Sequence, residues 1–338
     1  MNTPSADHNP AQGRIPKGTK RIVIFDTNAY RDFAPAGPLP DSRAKAARLR
    51  QCEQSNSVFT LASPTVVWEL TAHLADPTDR SYNHCLKSLL MLGEHAVNPA
   101  KPDGGISLFP DAESTVCREL FHAVPKVNDQ GIRVLGSFVK HVVKFAPDLS
   151  DPKAQENIKH IASHVDATER DWLESMQPVL ERCDPKAAKQ FFGDIPEIEL
   201  RKRMRGFFAT QTFVDMWATF TVQMHAAKVG YTITSDEELK EKAHMVLDVF
   251  PVPVHLMSAL LQKIAMDPNF NIGNPDKKRW NFVWDSQLTF SIGTSHQVAG
   301  APVFFVTSDA EVITAAKAAG CEQRVLALPD YLKSLGFL

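Results

Sequence analysis

Two rhythms divide the chain. Toward both ends, short runs of β-branched and aromatic residues alternate with helical spacing, whereas the centre carries helical spacing alone. Arg21-Ile22-Val23-Ile24-Phe25 is almost continuously apolar, as a strand buried on both faces requires. Val58-Phe59-Thr60-Leu61 repeats the pattern after a helix-like stretch from Ser42 to Gln54. Ser63-Pro64 then opens a helix with a polar residue and a proline at its first positions. Tyr82 to His95 and Asp111 to Val124 have the spacing of two more helices, with Gly105 to Phe109 as a short strand between them. Late in the chain, Lys277 to Ile292 reads as a helix and Pro302-Val303-Phe304-Phe305-Val306-Thr307 as a second strongly apolar strand. Ala310 to Ala319 is an Ala-rich helix ended by Gly320, and Arg324 to Leu328 is a last strand. Strands alternating with helices predict a parallel sheet covered by helices.

The centre breaks that alternation. Gln155 to Cys183, Ile195 to Gly206, Phe207 to Gly230, Ser235 to Val249 and Val254 to Met266 all carry helical patterns. The expected organisation is a flexible arm over 1–19, a discontinuous α/β domain over 20–123 plus 275–338, and a mainly α-helical insertion over 124–274.

Composition adds limits more than directions. A length of 338 residues, 43% hydrophobic and 22% charged, suits a globular protein with a sizeable core. No apolar run approaches bilayer length and Met1 to Lys20 lacks the apolar segment of a signal peptide, so the expectation is a cytoplasmic protein with no membrane partner. Five scattered cysteines without a Cys-x-x-Cys pair read as reduced thiols and point away from a zinc site. With a formal net charge of −2, nucleic-acid binding would have to come from local basic patches.

Candidate chemistry sits at strand ends. The first strand runs into Asp26-Thr27-Asn28 and the late one into Thr307-Ser308-Asp309, so both deliver a hydroxyl and an acid to the edge where open α/β sheets hold their active sites. Such turn residues also arise for local hydrogen-bonding reasons alone, and two further acids supply the weight. Glu69 falls in the first turns of the helix after the second strand. Asp285 lies in the helix Lys277–Ile292, four residues after Asn281 and on the same face. Carboxylates brought together repel unless a cation or a proton separates them. Hard oxygen donors of this kind suit Mg²⁺ or Mn²⁺, as one ion or two.

In order and setting these motifs resemble those of the PIN-domain nucleases. That family's pattern is a strand ending in Asp-x-Asn, a helix bearing a Glu, a later helix bearing an Asp, and a strand ending in Thr-x-Asp. The matching positions are Asp26 with Asn28, Glu69 in Val-Val-Trp-Glu-Leu, Asp285 in Asn-Phe-Val-Trp-Asp-Ser-Gln-Leu, and Thr307-Ser308-Asp309. The resemblance covers residues 21 to about 123 and 275 to 338, and departs in the long stretch between Glu69 and Asp285. It implies a PIN-like, Rossmann-like parallel sheet interrupted by a helical insertion. The implied activity is metal-dependent hydrolysis of phosphodiester bonds, with RNA favoured over DNA.

Under that resemblance Asp26, Asp285 and Asp309 are catalytic metal ligands, and Glu69 either joins them or orients the attacking water. Asn28, Asn281, Thr307 and Ser308 would hydrogen-bond the ligand carboxylates or the phosphate. Related bacterial enzymes often act as toxins or as effectors of antiviral defence; nothing in these residues assigns that role. A rival reading keeps the fold but makes the chain a silent or partner-regulated scaffold whose helical insertion binds protein. A regulatory partner and self-association stay open.

Basic clusters complete the picture. Lys277-Lys278-Arg279, one to two turns before Asp285, are placed to grip a substrate backbone. Arg201-Lys202-Arg203-Met204-Arg205, followed by Phe207-Phe208, offers cations and aromatics of the kind single strands bind, against the plainer reading of a solvated face. His160 and His164 have metal-ligand spacing without the intervening Glu of a His-Glu-x-x-His motif, and read as surface or packing residues. Asp215, on an apolar helix, is expected to pair with a buried cation. Gly293 to Gly300 reads as a loop.

Overall fold

In the computed structural model, residues 15–98, 105–125, 128–145, 149, 151–183, 198–267, 281–294 and 296–337 are described. The strands in chain order are β1 (Arg21–Phe25), β2 (Val58–Thr60), β3 (Gln297–Val298), β4 (Ala301–Thr307) and β5 (Val325–Ala327). The earlier helices are α1 (Thr27–Phe33), α2 (Leu39–Ser55), α3 (Pro64–Ala72), α4 (Tyr82–His95) and α5 (Ala112–Phe121). Through the centre run α6 (Asn128–Phe145), α7 (Pro152–Cys183), α8 (Ile198–Phe208), α9 (Gln211–Val229), α10 (Asp236–Val249) and α11 (Pro251–Met266). The last are α12 (Asn281–Thr289), α13 (Ala310–Ala318) and α14 (Leu328–Ser334).

The two apolar strands lie side by side. β1 pairs in parallel with β4 through Ile22↔Val303 to Phe25↔Val306, and on its other edge with β2 through Ile22↔Phe59. β5 adds in parallel to the far edge of β4. Ile22, Val23, Ile24 and Phe25 are all nearly inaccessible to solvent, which explains why β1 lacks a polar alternation. The result is an α/β fold with a parallel sheet flanked by many helices.

One antiparallel element breaks the pattern. β3 pairs with the start of β4 across Ala299-Gly300, both at positive φ (51° and 78°), as a two-residue hairpin of the primed type demands. The stretch read as a loop over Gly293 to Gly300 therefore ends in a hairpin.

The central helices share the sheet's core. Phe138, Ile158, Phe213, Phe250 and Leu261 belong to the same buried apolar cluster as Ile22 and Phe305. α7 packs on α3, α6 on α4, and α11 on α13. Among the described residues no single helix is long and apolar enough to cross a membrane.

Several boundaries differ from expectation for local reasons. α1 starts directly after Asp26, where the sequence suggested only a turn. α11 begins at Pro251, three residues before the predicted start, because proline at the first helical position forgoes a hydrogen bond that the helix end lacks anyway. Gly105 to Phe109 forms no strand; single bridges link Ile106 to Val97 and Leu108 to Ala62. Ser63 precedes α3 as expected, although its side chain makes no capping hydrogen bond. Residues 1–14 of the expected arm lie outside the described residues; within 15–19, Thr19 turns back to the Pro16 carbonyl and Ile15 packs on the core.

Candidate metal centre

Both strand-end acids are helix caps. Asp26 Oδ1 accepts from the Ala29 N–H and so starts α1. Asp309 Oδ1 accepts from the N–H groups of Glu311 (2.6 Å) and Val312 (3.4 Å) and so starts α13. A strand that ends in a capping aspartate turns into the next helix at once, which fixes the carboxylate at the sheet edge.

Thr307 joins the two acids. Its hydroxyl donates to Asp26 Oδ2 and accepts from the Asp309 N–H at 2.8 Å. Parallel pairing of β1 with β4 makes this bridge possible, since it brings Phe25 opposite Val306. Thr307 thus bonds the Asp26 carboxylate, and Asn28 and Ser308 are half-buried neighbours of the two acids in the chain. On the other side of Asp26, Thr27 donates its hydroxyl to Glu69 Oε2.

The helix-borne acids reach the same place. Glu69 lies mid-way along α3 and Asp285 on the second turn of α12, both half-buried. Burial pushes the Asp26 carboxyl up to about 7, against the lowering effect of its Thr307 and Ala29 hydrogen bonds, and Asp309 adds repulsion. Burial likewise raises Glu69 to about 7, opposed by the Thr27 hydroxyl and by the Arg31 guanidinium, with Asp26 pushing upward again. Asp285 is raised furthest, to about 9, by burial and then by Glu69, Asp309 and Asp26 in turn. Asp285 therefore lies in the field of the other three acids, and Asp26 in that of Asp309 and Glu69.

Among the described residues none of these four forms an ion pair with a lysine, arginine or histidine. Nor, among those residues, is any group of three acidic, imidazole or thiol side chains placed to hold a metal ion. The donor set still fits a hard divalent cation: it offers carboxylate oxygens whose mutual repulsion a cation removes, and Mg²⁺ keeps several waters instead of demanding a protein cage.

Two contacts are not legible in the sequence. The Thr27 hydroxyl lies at the sheet edge as the Asp-Thr-Asn motif implies, but its partner Glu69 is 42 residues away. Arg31 follows Asp26 by little more than one turn of α1 and is the cation that acts on Glu69; its Nη2 reaches the Cys85 thiol at 3.4 Å. An i, i+5 spacing carries no motif, so only the fold reveals it.

Other expectations are corrected. Arg201 is buried and Lys202 pairs with Glu199 at 2.9 Å, while Phe208 is fully buried among Phe207, Phe213 and their neighbours. This cluster therefore has no stacking platform at Phe208. Asp215 is exposed and accepts from Gln211 Nε2 at 2.8 Å, with no buried cation as its partner in that bond. His164 stands edge-on to Trp68, a packing role as expected. Asn281 begins α12, but its side chain, like Lys277, Lys278 and Arg279, lies outside the described residues.

Compared with known proteins, the chain matches no family model, no curated protein and no solved structure.

Proposed function

We propose that the chain is a PIN-like, Mg²⁺- or Mn²⁺-dependent nuclease that hydrolyses phosphodiester bonds, with RNA as the favoured substrate. One observation carries this reading: Asp26 and Asp309 lie at the carboxyl ends of adjacent parallel strands, both repel Asp285 as Glu69 does, and among the described residues none of the four acids forms an ion pair. Structural acids are ordinarily paired, so unpaired convergence at a sheet edge supports a site for a ligand of opposite charge.

Bound there, a divalent ion would supply a lowered pKa for an attacking water and charge to offset the leaving oxygen. The protein's own part is placement. Asp26 and Asp309 would hold the cation, each with one oxygen already fixed by a helix N-terminus. Asp285 would complete the acidic wall. Glu69, steered by Thr27, would orient the water, and Thr307 would keep the two strand ends in register. The preference for RNA comes from the motif resemblance, with Lys277, Lys278 and Arg279 as the proposed grip on the backbone.

Incubation of the purified chain with single-stranded RNA, structured RNA and DNA, with Mg²⁺, Mn²⁺ or chelator, tests the reading. The expected result is cleavage that needs the ion and disappears in Asp26→Asn and Asp309→Asn. Asparagine caps helices as well as aspartate does, so both variants should fold. Cleavage that survives chelator or either substitution would overturn the mechanism.

A further inference from the structure

Each helix-borne acid follows a tryptophan in the chain: Trp68 precedes Glu69, and Trp284 precedes Asp285. Both indoles end on one stretch of α7. Trp284 is only 2% exposed, and its Nε1–H donates to Glu169 Oε1 at 2.8 Å. Trp68 stands edge-on to His164 with ring centroids 5.1 Å apart, and lies 6.4 Å from Trp284. α3 packs against both α7 and α12, and the Trp284–Glu169 bond links those two helices directly.

We infer that α7 is a clamp that sets the separation of Glu69 and Asp285, with Glu169 as the positioning residue that acts through Trp284. The inference rests on the metal-nuclease reading above. Packing alone would be served by an apolar residue at position 169. A carboxylate there is unfavourable in two ways, because it is half-buried and because it adds to the negative field on Glu69.

What it provides is a charge-assisted acceptor for a buried indole N–H, which otherwise has no water to satisfy it. That bond fixes the rotation of the indole. Because Asp285 is the next residue on the same helix, anchoring Trp284 anchors the backbone from which Asp285 projects. A hydrogen bond made directly to a metal ligand is worth about 10- to 100-fold in metal affinity or activity, which is the upper bound for one acting through the neighbouring residue, and misplacing a reacting group by about 1 Å costs about 100-fold.

The test uses the full chain and three variants, Glu169→Gln, Glu169→Ala and Trp284→Phe. Mn²⁺ alone is titrated by electron paramagnetic resonance, and cleavage of single-stranded RNA is followed in parallel. Glutamine keeps the acceptor and drops the charge, so Glu169→Gln should stay within about threefold of the parent. Glu169→Ala and Trp284→Phe should lose about 10-fold, and no more than about 100-fold, in Mn²⁺ affinity and kcat with little change in KM.

Parent-like Mn²⁺ binding in Glu169→Ala overturns the clamp. So does a Glu169→Gln variant as impaired as Glu169→Ala, since charge and not positioning would then be the cause. If Glu169→Ala does not fold, the contrast between Glu169→Gln and Trp284→Phe decides in the same way. A parent chain that binds Mn²⁺ no better than Asp26→Asn/Asp309→Asn overturns the metal reading and the clamp together, an outcome distinct from failure of the clamp alone.

Discussion

Adjacent residues of β1 and α1 open onto two buried polar clusters built on opposite terms. Phe25 packs edge-on against His95 and Tyr331, with ring centroids 4.9 and 5.4 Å away. Those two side chains converge on Glu53, which is 1% exposed. Glu53 Oε2 accepts from Thr60 (2.7 Å) and His95 (2.8 Å), its Oε1 accepts from the Tyr331 hydroxyl, and the far side of His95 meets Tyr30 at 3.2 Å. The next residue after Phe25 is Asp26, which faces other acids. A buried carboxylate can thus be matched by donors alone, as Glu53 is, or keep other acids as neighbours beside its donors, as Asp26 does, and the second arrangement costs stability. The second makes sense where something else is to be bound.

The largest expected effect lies in the acid cluster. Asp309→Asn should lower cleavage by about 10⁴-fold, some 5 kcal/mol of transition-state stabilisation, while the metal-free melting temperature holds or rises. A fall in melting temperature without loss of cleavage would erase the contrast. The mirror-image change is Glu53→Ala, which leaves His95, Thr60 and Tyr331 without their acceptor. It should cost about 3–5 kcal/mol of stability in urea denaturation, with cleavage per folded molecule unchanged. A stability loss under about 1 kcal/mol would show that the Glu53 cluster is not what holds this side of the fold.

Dependence on pH sharpens the comparison. Asp26, Glu69 and Asp285 are raised to about 7, 7 and 9 by burial and mutual repulsion, above the ordinary carboxyl range. The folded metal-free chain therefore holds more protons than the unfolded one, and its stability must fall as pH rises through those values. The window from pH 7 to 9 reads mainly Asp285, and the thiols of Cys85, Cys117 and Cys321, raised by burial, add a decline of the same sign toward its upper end that Mn²⁺ does not remove. Buried His225, lowered to about 4 by desolvation, acts in the opposite sense and only below about pH 6.5. Melting temperature in chelator should decline over pH 7 to 9, and saturating Mn²⁺ should flatten the decline. A flat profile in chelator would argue that the carboxyls do not share a field. The smallest effect expected is for Thr27→Val, which frees Glu69 from its hydroxyl partner and should reduce kcat about tenfold at unchanged stability.

Strong periodicity is legible in the sequence because burial alone dictates it. α4 runs from Tyr82 to His95 as the apolar spacing predicts, and the late strand ends at Thr307. Elements defined by their ends were harder to read. α1 is hidden because Asp26-Thr27-Asn28 suits a turn as well as a helix start, and only the cap to Ala29 distinguishes them. α14, beginning at Leu328-Pro329, follows β5 without a spacer and reads as part of the strand.

The same division holds for the site. Asp26, Glu69, Asp285 and Asp309 stand on recognisable elements, so their order showed through. Thr27, Arg31 and Glu169 act through contacts between distant segments, and no local spacing records those.

The strand pairing also sets a timetable. The bond between the Thr307 hydroxyl and Asp26 joins residues 281 apart, and β1 has β4 as a neighbour on the edge away from β2. During synthesis from the N-terminus, β1, α3 and every central helix emerge before β4 is made. A partial chain can collapse locally, but one long edge of its central strand stays bare. Asp26 then has neither the threonine that orients it nor the aspartate that faces it. Whatever chemistry this edge performs is withheld from every nascent chain until β4 and Asp309 have been joined to it.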